Sequence, residues 1–155
     1  RTEVVLFDQD MRALSQASST VTRTLREQRR EDITITCVHD SIKTLFKGEG
    51  VLSQLEPFDL IYAAGLFDYL PRELAQVLCG RLYQFLRPGG HLYIGNFSDY
   101  NPTRWGMEHL GDWYLIHRTP AELMEVAEPV GPTACPEVVA EPTGVNLILG
   151  MTKVT

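Results

Sequence analysis

Residues 58–97 read FDLIYAAGLFDYLPRELAQVLCGRLYQFLRPGGHLYIGNF. The opening run, FDLIYA (58–63), is short and apolar, the pattern of a strand covered on both faces. The chain leaves it through Ala64, Gly65 and GLFDYL. Pro71 suits the first turn of a helix, where its missing N–H costs nothing. Leu74, Val77, Leu78, Leu82 and Phe85 then recur at helical spacing and predict one apolar stripe. Arg87 ends that helix. Pro88 cannot continue it, and Gly89-Gly90 supply the backbone freedom for a reversal. Residues 91–97 (HLYIGNF) predict a second strand. Strand, crossover helix and strand make a βαβ unit, which is right-handed in nearly all cases.

The flanks extend the same alternation. Residues 3–7 (EVVLF) predict a strand ended by Asp8-Gln9-Asp10. A helix follows, with Asp10 as its N-cap and Ala13, Leu14, Ala17, Val21 and Leu25 as its inner stripe. Residues 33–38 (ITITCV) are alternating and β-branched, again a strand. His39-Asp40-Ser41 comes next, where Asp40 can cap a short helical turn. Residues 43–57 are a mixed, partly helical segment interrupted by Gly48 and Gly50. Beyond Phe97, residues 98–118 are rich in Tyr, Trp, His, Asn and acids and carry no long apolar stripe. Mixed aromatic and polar groups in a loop suit a binding pocket, and they also suit a packed loop anchored by Trp105, Trp113 and Tyr114. Thr119-Pro120-Ala121-Glu122 has the residues of a helix start. Leu123, Val126 and Ala127 should face inward from it. Residues 137–141 and 146–154, separated by Pro142-Thr143-Gly144, predict a terminal hairpin.

The order FDLI, GLFDYL, amphipathic helix and LRPGGHLYI resembles the fourth and fifth strands of the class I S-adenosylmethionine (SAM) methyltransferases. The likeness runs through nearly the whole chain, from the family's second strand onward. It implies an α/β fold: a Rossmann-like, doubly wound, mostly parallel sheet with an antiparallel C-terminal hairpin, in one domain spanning 1–155. It also implies a cofactor, SAM. VLFDQDMRAL resembles the element that ends in the acid holding the cofactor's ribose. Asp8 falls on that position, and Asp10 could share it or simply cap the helix. Asp40 and Ser41 match positions that meet the adenine, though Asp40 reads equally well as a cap. Ala64 and Gly65 lie where the fourth strand would pass the cofactor.

The resemblance places a methyl acceptor against the loops leaving the two central strands. Phe67, Tyr69, Asn96, Trp113 and Tyr114 are the candidate acceptor contacts, suited to an apolar body with a polar reacting end. Methyl transfer from an activated sulfonium needs a base only when the acceptor must lose a proton. Carboxyl acceptors need none. For hydroxyl acceptors, His117 and Glu108 are the candidate catalytic residues, with His109 as a further candidate. The glycine-rich loop of the family's first strand has no counterpart in this sequence. This chain alone is therefore expected to bind SAM weakly or not at all. The alternative reading is a non-catalytic binding or regulatory module of the same fold. A dinucleotide-dependent oxidoreductase lacks its fingerprint here as well.

Composition bounds the rest. With 155 residues and 44% hydrophobic content the chain can bury a core. A net charge of −6 argues against nucleic acid as a partner. Arg23, Arg26 and Arg30 make a local basic run, but Glu27, Glu31 and Asp32 among them indicate a solvated helix face. No apolar run reaches the length of a membrane span. The three cysteines, Cys37, Cys79 and Cys135, lack metal-binding spacing, as do the four histidines, so no metal site is expected. Buried, reduced thiols in a cytoplasmic protein are the plain reading. Small-molecule acceptors are the expected partners. Exposed edges of an incomplete sheet would also invite self-association.

Overall fold

The computed structural model describes residues 1–154. It is a mixed α/β architecture in which parallel strand pairs are joined by helices. The chain divides into two compact units, the first Arg1–Leu55 and the second from Glu56 onward.

In the first unit, β1 (Thr2–Asp8) and β2 (Ile33–His39) pair in parallel from Thr2↔Ile33 to Asp8↔His39. The helix α1 (Met11–Glu27) connects them. Asp10 caps it, its carboxylate accepting from the Arg12 N–H at 2.8 Å. Its inner face differs from the expected stripe. Leu14 is buried and Val21 and Leu25 are half-buried, but Ala13 and Ala17 are exposed, while Ser18 and Thr22 are half-buried. An alanine loses little by facing water, so a spacing built on two alanines is weakly directional. The short α2 (Ile42–Lys47) is capped by the Ser41 hydroxyl and closed by Gly48 in the left-handed region. Cys37 is exposed, against expectation, between the half-buried Thr36 and the buried Val38.

In the second unit the strand order is β3-β4-β6-β5. β3 (Phe58–Ala63) and β4 (Leu86–Phe97) are parallel, and β6 (Asn146–Thr152) is antiparallel to both β4 and β5 (Glu137–Ala140). The helix α3 (Arg72–Gln84) is the crossover. Its buried stripe is Ala75, Leu78, Cys79 and Leu82, while Leu74 and Val77 are exposed. The stripe lies one position away from part of the predicted one because a small alanine and a cysteine fill the closest approach to the sheet. Burial pushes the Cys79 thiol up to about 12, so it packs as a hydrophobe. Cys135, also expected inside, is exposed at a left-handed position after a short helical turn.

LRPGG does not leave the sheet as a free turn. It runs on as an irregularity inside β4, with Phe58 opposite Leu86 but Leu60 opposite His91. Gly89 takes φ +78°. The end of β6 holds the irregularity: the Gly89 N–H donates to the Lys153 carbonyl at 2.7 Å and the Lys153 N–H to the Gly90 carbonyl at 2.8 Å. The core lies on one face of this sheet, where Leu92, Ile94, Leu147 and Leu149 meet α3 and α5 (Pro120–Glu125). Thr119 and Glu122 form a full capping box on α5, and those hydrogen bonds hold the Glu122 carboxyl below its ordinary range. Leu123, Val126 and Ala127 are buried as predicted. On the opposite face Leu60, Tyr62 and Tyr93 are exposed. No helix among the described residues is long and apolar enough to cross a membrane.

Candidate active site

Parallel strands bring their carboxyl ends to one edge, and each unit carries its chemistry there. In the first unit Asp8 and Asp40 are neighbours. Asp8 pairs with His39 across the ladder, and the Asp40 N–H donates to the Asp8 carbonyl at 3.4 Å. The Asp8 carboxylate accepts from the Asp10 N–H at 2.8 Å through Oδ1, and its Oδ2 has no partner among the described residues. Asp40 is more committed. Its Oδ1 accepts from the Ser41 N–H at 2.7 Å. Its Oδ2 lies over Gly50, where an added Cβ would sit 2.4 Å away. Gly50 has φ +87°, which side chains rarely adopt. Gly50→Ala should therefore cost about 1–3 kcal/mol from backbone strain alone, seen as a lower urea midpoint. An unchanged midpoint would mean that Asp40 does not rest on that glycine.

In the second unit the ends of β3 and β4 are tied together by a polar network. The loop after β3 makes one helical turn, Phe67–Tyr69, that buries Asp68 to 2% exposure. Asp68 Oδ1 accepts from the Phe97 N–H at the end of β4 at 2.7 Å. Its backbone carbonyl accepts from the Ile116 N–H at 2.7 Å. Burial raises the Asp68 pKa, and the Phe97 N–H, Arg118 and His117 pull it back in part. Arg118, 4% exposed, donates through Nη1 to the Phe67 carbonyl at 2.9 Å and to Asn96 Oδ1, and through Nη2 to the Leu70 carbonyl at 2.5 Å. The Asn96 amide nitrogen donates to the Phe97 and Ile116 carbonyls, both at 2.9 Å. The Arg118 N–H donates to the Phe97 carbonyl at 3.0 Å. The segment returning from residues 99–117 is thus sewn back onto the end of β4.

That returning segment holds α4 (Arg104–Leu110), which buries none of its residues. His117 is half-buried. Its Nδ1 faces the Leu115 carbonyl at 3.1 Å, and a carbonyl only accepts, so Nδ1 carries the proton. Nε2 then accepts from the Asn101 amide at 3.1 Å. The amide is oriented by Thr103, whose N–H and hydroxyl donate to Asn101 Oδ1 at 3.0 and 2.7 Å. The lone pair of His117 is therefore already in use. Glu108 is ion-paired with Arg104 at 2.7 Å. His109 stacks on Trp105 at 5.2 Å and faces its carbonyl.

The candidate acceptor contacts separate. Trp113 Nε1–H donates to the Tyr69 hydroxyl at 2.8 Å, and Phe97 meets the Trp113 ring edge-on at 6.3 Å. Tyr69, Trp113 and Tyr114 are exposed, and the hydrogen-bonded pair Tyr69 and Trp113 forms an accessible aromatic corner beside the end of β4. Phe67 and Asn96 are fully buried, so they hold the loops and present nothing outward. Ala64 and Gly65 are exposed, with Gly65 at φ +75°. Asp68, Asn101 and Arg118 lie within the loops expected to face the acceptor, but the sequence assigns none of them a role of its own. A lone acid inside the apolar run GLFDYL was a usable signal for Asp68. Arg118, ahead of a helix start, carried none. Among the described residues no group of acids, histidines and cysteines could hold a metal ion.

The chain matches no family model and no curated protein sequence. Solved structures do share its fold. A protein of Bordetella parapertussis, described as a possible exported protein, superposes with a TM-score of 0.67 at 21% identity, over 99% of this chain and 54% of that one. Magnesium protoporphyrin IX methyltransferase of Synechocystis, solved with bound S-adenosylhomocysteine, gives 0.64 at 12% identity, over 97% and 63%. Human N-acetylserotonin methyltransferase, solved with SAM, gives 0.61 at 16% identity, over 99% and 41%. The chain therefore spans about half the length of the first of these structures and less than two thirds of the others. What it has in common with them is the fold, which in the second and third is the fold of a methyltransferase.

Proposed function

We propose that this chain belongs to a SAM-dependent methyltransferase that acts on a small molecule, with a hydroxyl as the favoured acceptor. The observation that carries the reading is the pair Asp8 and Asp40, side by side at the carboxyl ends of two parallel strands. A ribose diol needs an acceptor with free lone pairs, and Asp8 Oδ2 fits that need. When bound, SAM would supply an already activated methyl group, so alignment provides most of the rate. This chain's residues would hold the nucleoside through Asp8 and Asp40. Tyr69, Trp113 and Tyr114 would receive the apolar part of the acceptor. The loops leaving β3 and β4 offer no free cation for a carboxylate acceptor. Arg104 is held by Glu108, and Arg118 is buried on carbonyls. That favours a hydroxyl over a carboxyl group.

A second reading, a binding module without turnover, has its own support. The Ser41 N–H, matched to an adenine contact, is already donated to Asp40. Calorimetric titration with S-adenosylhomocysteine separates the two, run on this chain and on a form extended upstream. Binding in the extended form is expected, and Asp8→Ala should weaken it by about 1–3 kcal/mol, the scale for hydrogen bonds to a charged group. Unchanged affinity in the variant would reject the assignment of Asp8.

A further inference from the structure

We infer that Asp68, through its Oδ2 atom, is the general base that takes the proton from a hydroxyl acceptor. The inference rests on the methyltransferase reading above and names the group that reading leaves open.

The geometry begins with the other carboxylate oxygen. Oδ1 is fixed by the Phe97 N–H at 2.7 Å, and the backbone on both sides is fixed through Ile116 and the Phe67–Tyr69 turn. A carboxylate is planar, so fixing Oδ1 fixes the direction of Oδ2. Among the described residues none donates a hydrogen bond to Oδ2. It is also not sealed off, because no fully enclosed side-chain nitrogen or oxygen among the described residues lacks a partner. The opening lies at Gly65, where even an added Cβ would stand 4.0 Å from Oδ2. Gly65 is exposed, with φ +75°, at the carboxyl end of β3. A side chain that is 2% exposed thus presents one free acceptor atom at a gap in the strand ends. The accessible corner of Tyr69 and Trp113 begins one residue further on.

The competing candidates are occupied. The His117 lone pair accepts from Asn101, and Glu108 is paired with Arg104. The titratable groups facing Asp68 are Arg118 and His117, and positive charge on either lowers its pKa. Burial opposes them and wins. A carboxylate whose pKa is raised is a stronger proton acceptor while it remains ionised.

The step balances with no further reactant. The acceptor O–H bond breaks and its proton passes to Oδ2. The acceptor oxygen forms the new bond to the methyl carbon, and the electron pair of the carbon–sulfur bond returns to sulfur. The proton later leaves Oδ2 through the gap at Gly65.

The first two tests need no acceptor. Carbon-13 NMR titration of labelled aspartate should show one carboxyl, absent in Asp68→Asn, that titrates above the ordinary range. The Phe97 amide resonance should follow the same curve. Trimethyloxonium, a small methylating electrophile, should esterify Asp68 despite its burial, as read by mass spectrometry. Either an ordinary pKa or an unlabelled Asp68 overturns the inference. Asp68→Asn retains an oxygen for the Phe97 N–H, so its melting temperature should not fall below that of the parent, and in the form extended upstream its S-adenosylhomocysteine affinity should match. With phenol as the hydroxyl probe and radiolabelled SAM, any wild-type transfer should fall at least about 100-fold in Asp68→Asn, the lower range for a general base. Undiminished transfer also overturns the inference. Absence of S-adenosylhomocysteine binding in the form extended upstream would instead count against the methyltransferase reading itself, so the two failures are distinguishable.

Discussion

Arg118→Met is expected to destabilise the second unit by about 3–5 kcal/mol, the range for removing one partner of a buried charged network. Methionine can follow the course of the arginine stem but donates nothing. The Phe67 and Leu70 carbonyls and Asn96 Oδ1 would each lose a donor, in a site where Arg118 is 4% exposed. Each buried acceptor left unpaired carries a desolvation cost of about 1–3 kcal/mol, partly relieved by local relaxation. For a chain of this length the loss corresponds to a fall in melting temperature of about 10 °C or more. Arg118→Lys would rescue little, because an ammonium cannot span the three acceptors as a planar fork does. Acid should soften the defect. Asp68 already has its folded pKa raised, and losing the Arg118 charge raises it further. A carboxyl with a raised folded pKa penalises the fold above that pKa. The penalty disappears as pH falls below the unfolded value of about 4. The gap between variant and parent should therefore narrow from pH 7 towards pH 4. A melting temperature within a degree of the parent at pH 7 would show that the network contributes nothing.

Gly90→Ala should cost about 1–3 kcal/mol or more, at the upper end of the scale for overpacking. An added Cβ would stand 2.8 Å from the Phe58 carbonyl oxygen, 2.9 Å from that of Arg87 and 3.2 Å from that of Asp59. All three are backbone atoms, so none can rotate away. Relief would require β3 and β4 to part where their register already shifts between Phe58 and Leu60. Gly89→Ala is the informative companion. Nothing lies within 4 Å of its added Cβ, but its φ is +78°, so its cost is conformational. Denaturant midpoints should fall for both variants. In Gly90→Ala, amide exchange should also quicken along Leu60–Ala63 and the residues paired with them. Protection equal to the parent there would mean that the irregularity is not held by close packing of backbone.

Much of the framework was legible in the sequence, and the reason is local. Phe58–Ala63, α3 and the β5–β6 hairpin follow from apolar runs, helical spacing and turn residues, which act over a few positions. The Thr119–Glu122 capping box is local in the same sense, since all its partners lie within four residues. Asp8 and Asp40 could be placed at strand ends because a strand's end is marked by its own composition. The inner faces were less legible. On α3 small residues displaced the expected apolar ones, because the face that turns inward is decided by how near the sheet lies. That distance is a property of the packed unit.

The site was decided by tertiary structure. Asp68 lies 29 residues before Phe97, and Arg118 lies 51 after Phe67, yet they close one network. No short window contains both ends of such a bond. The chemistry of His117 likewise turns on Asn101, 16 residues away, which claims the lone pair that composition alone would have left free for catalysis. The sequence by itself determined the elements, the parallel pairing and the presence of acids at the strand ends, because hydrophobic period and turn chemistry are written along the chain. Only the tertiary structure decided which carboxylate is buried with one oxygen free, because burial, desolvation and the use of a lone pair depend on neighbours that the chain brings together only when it folds.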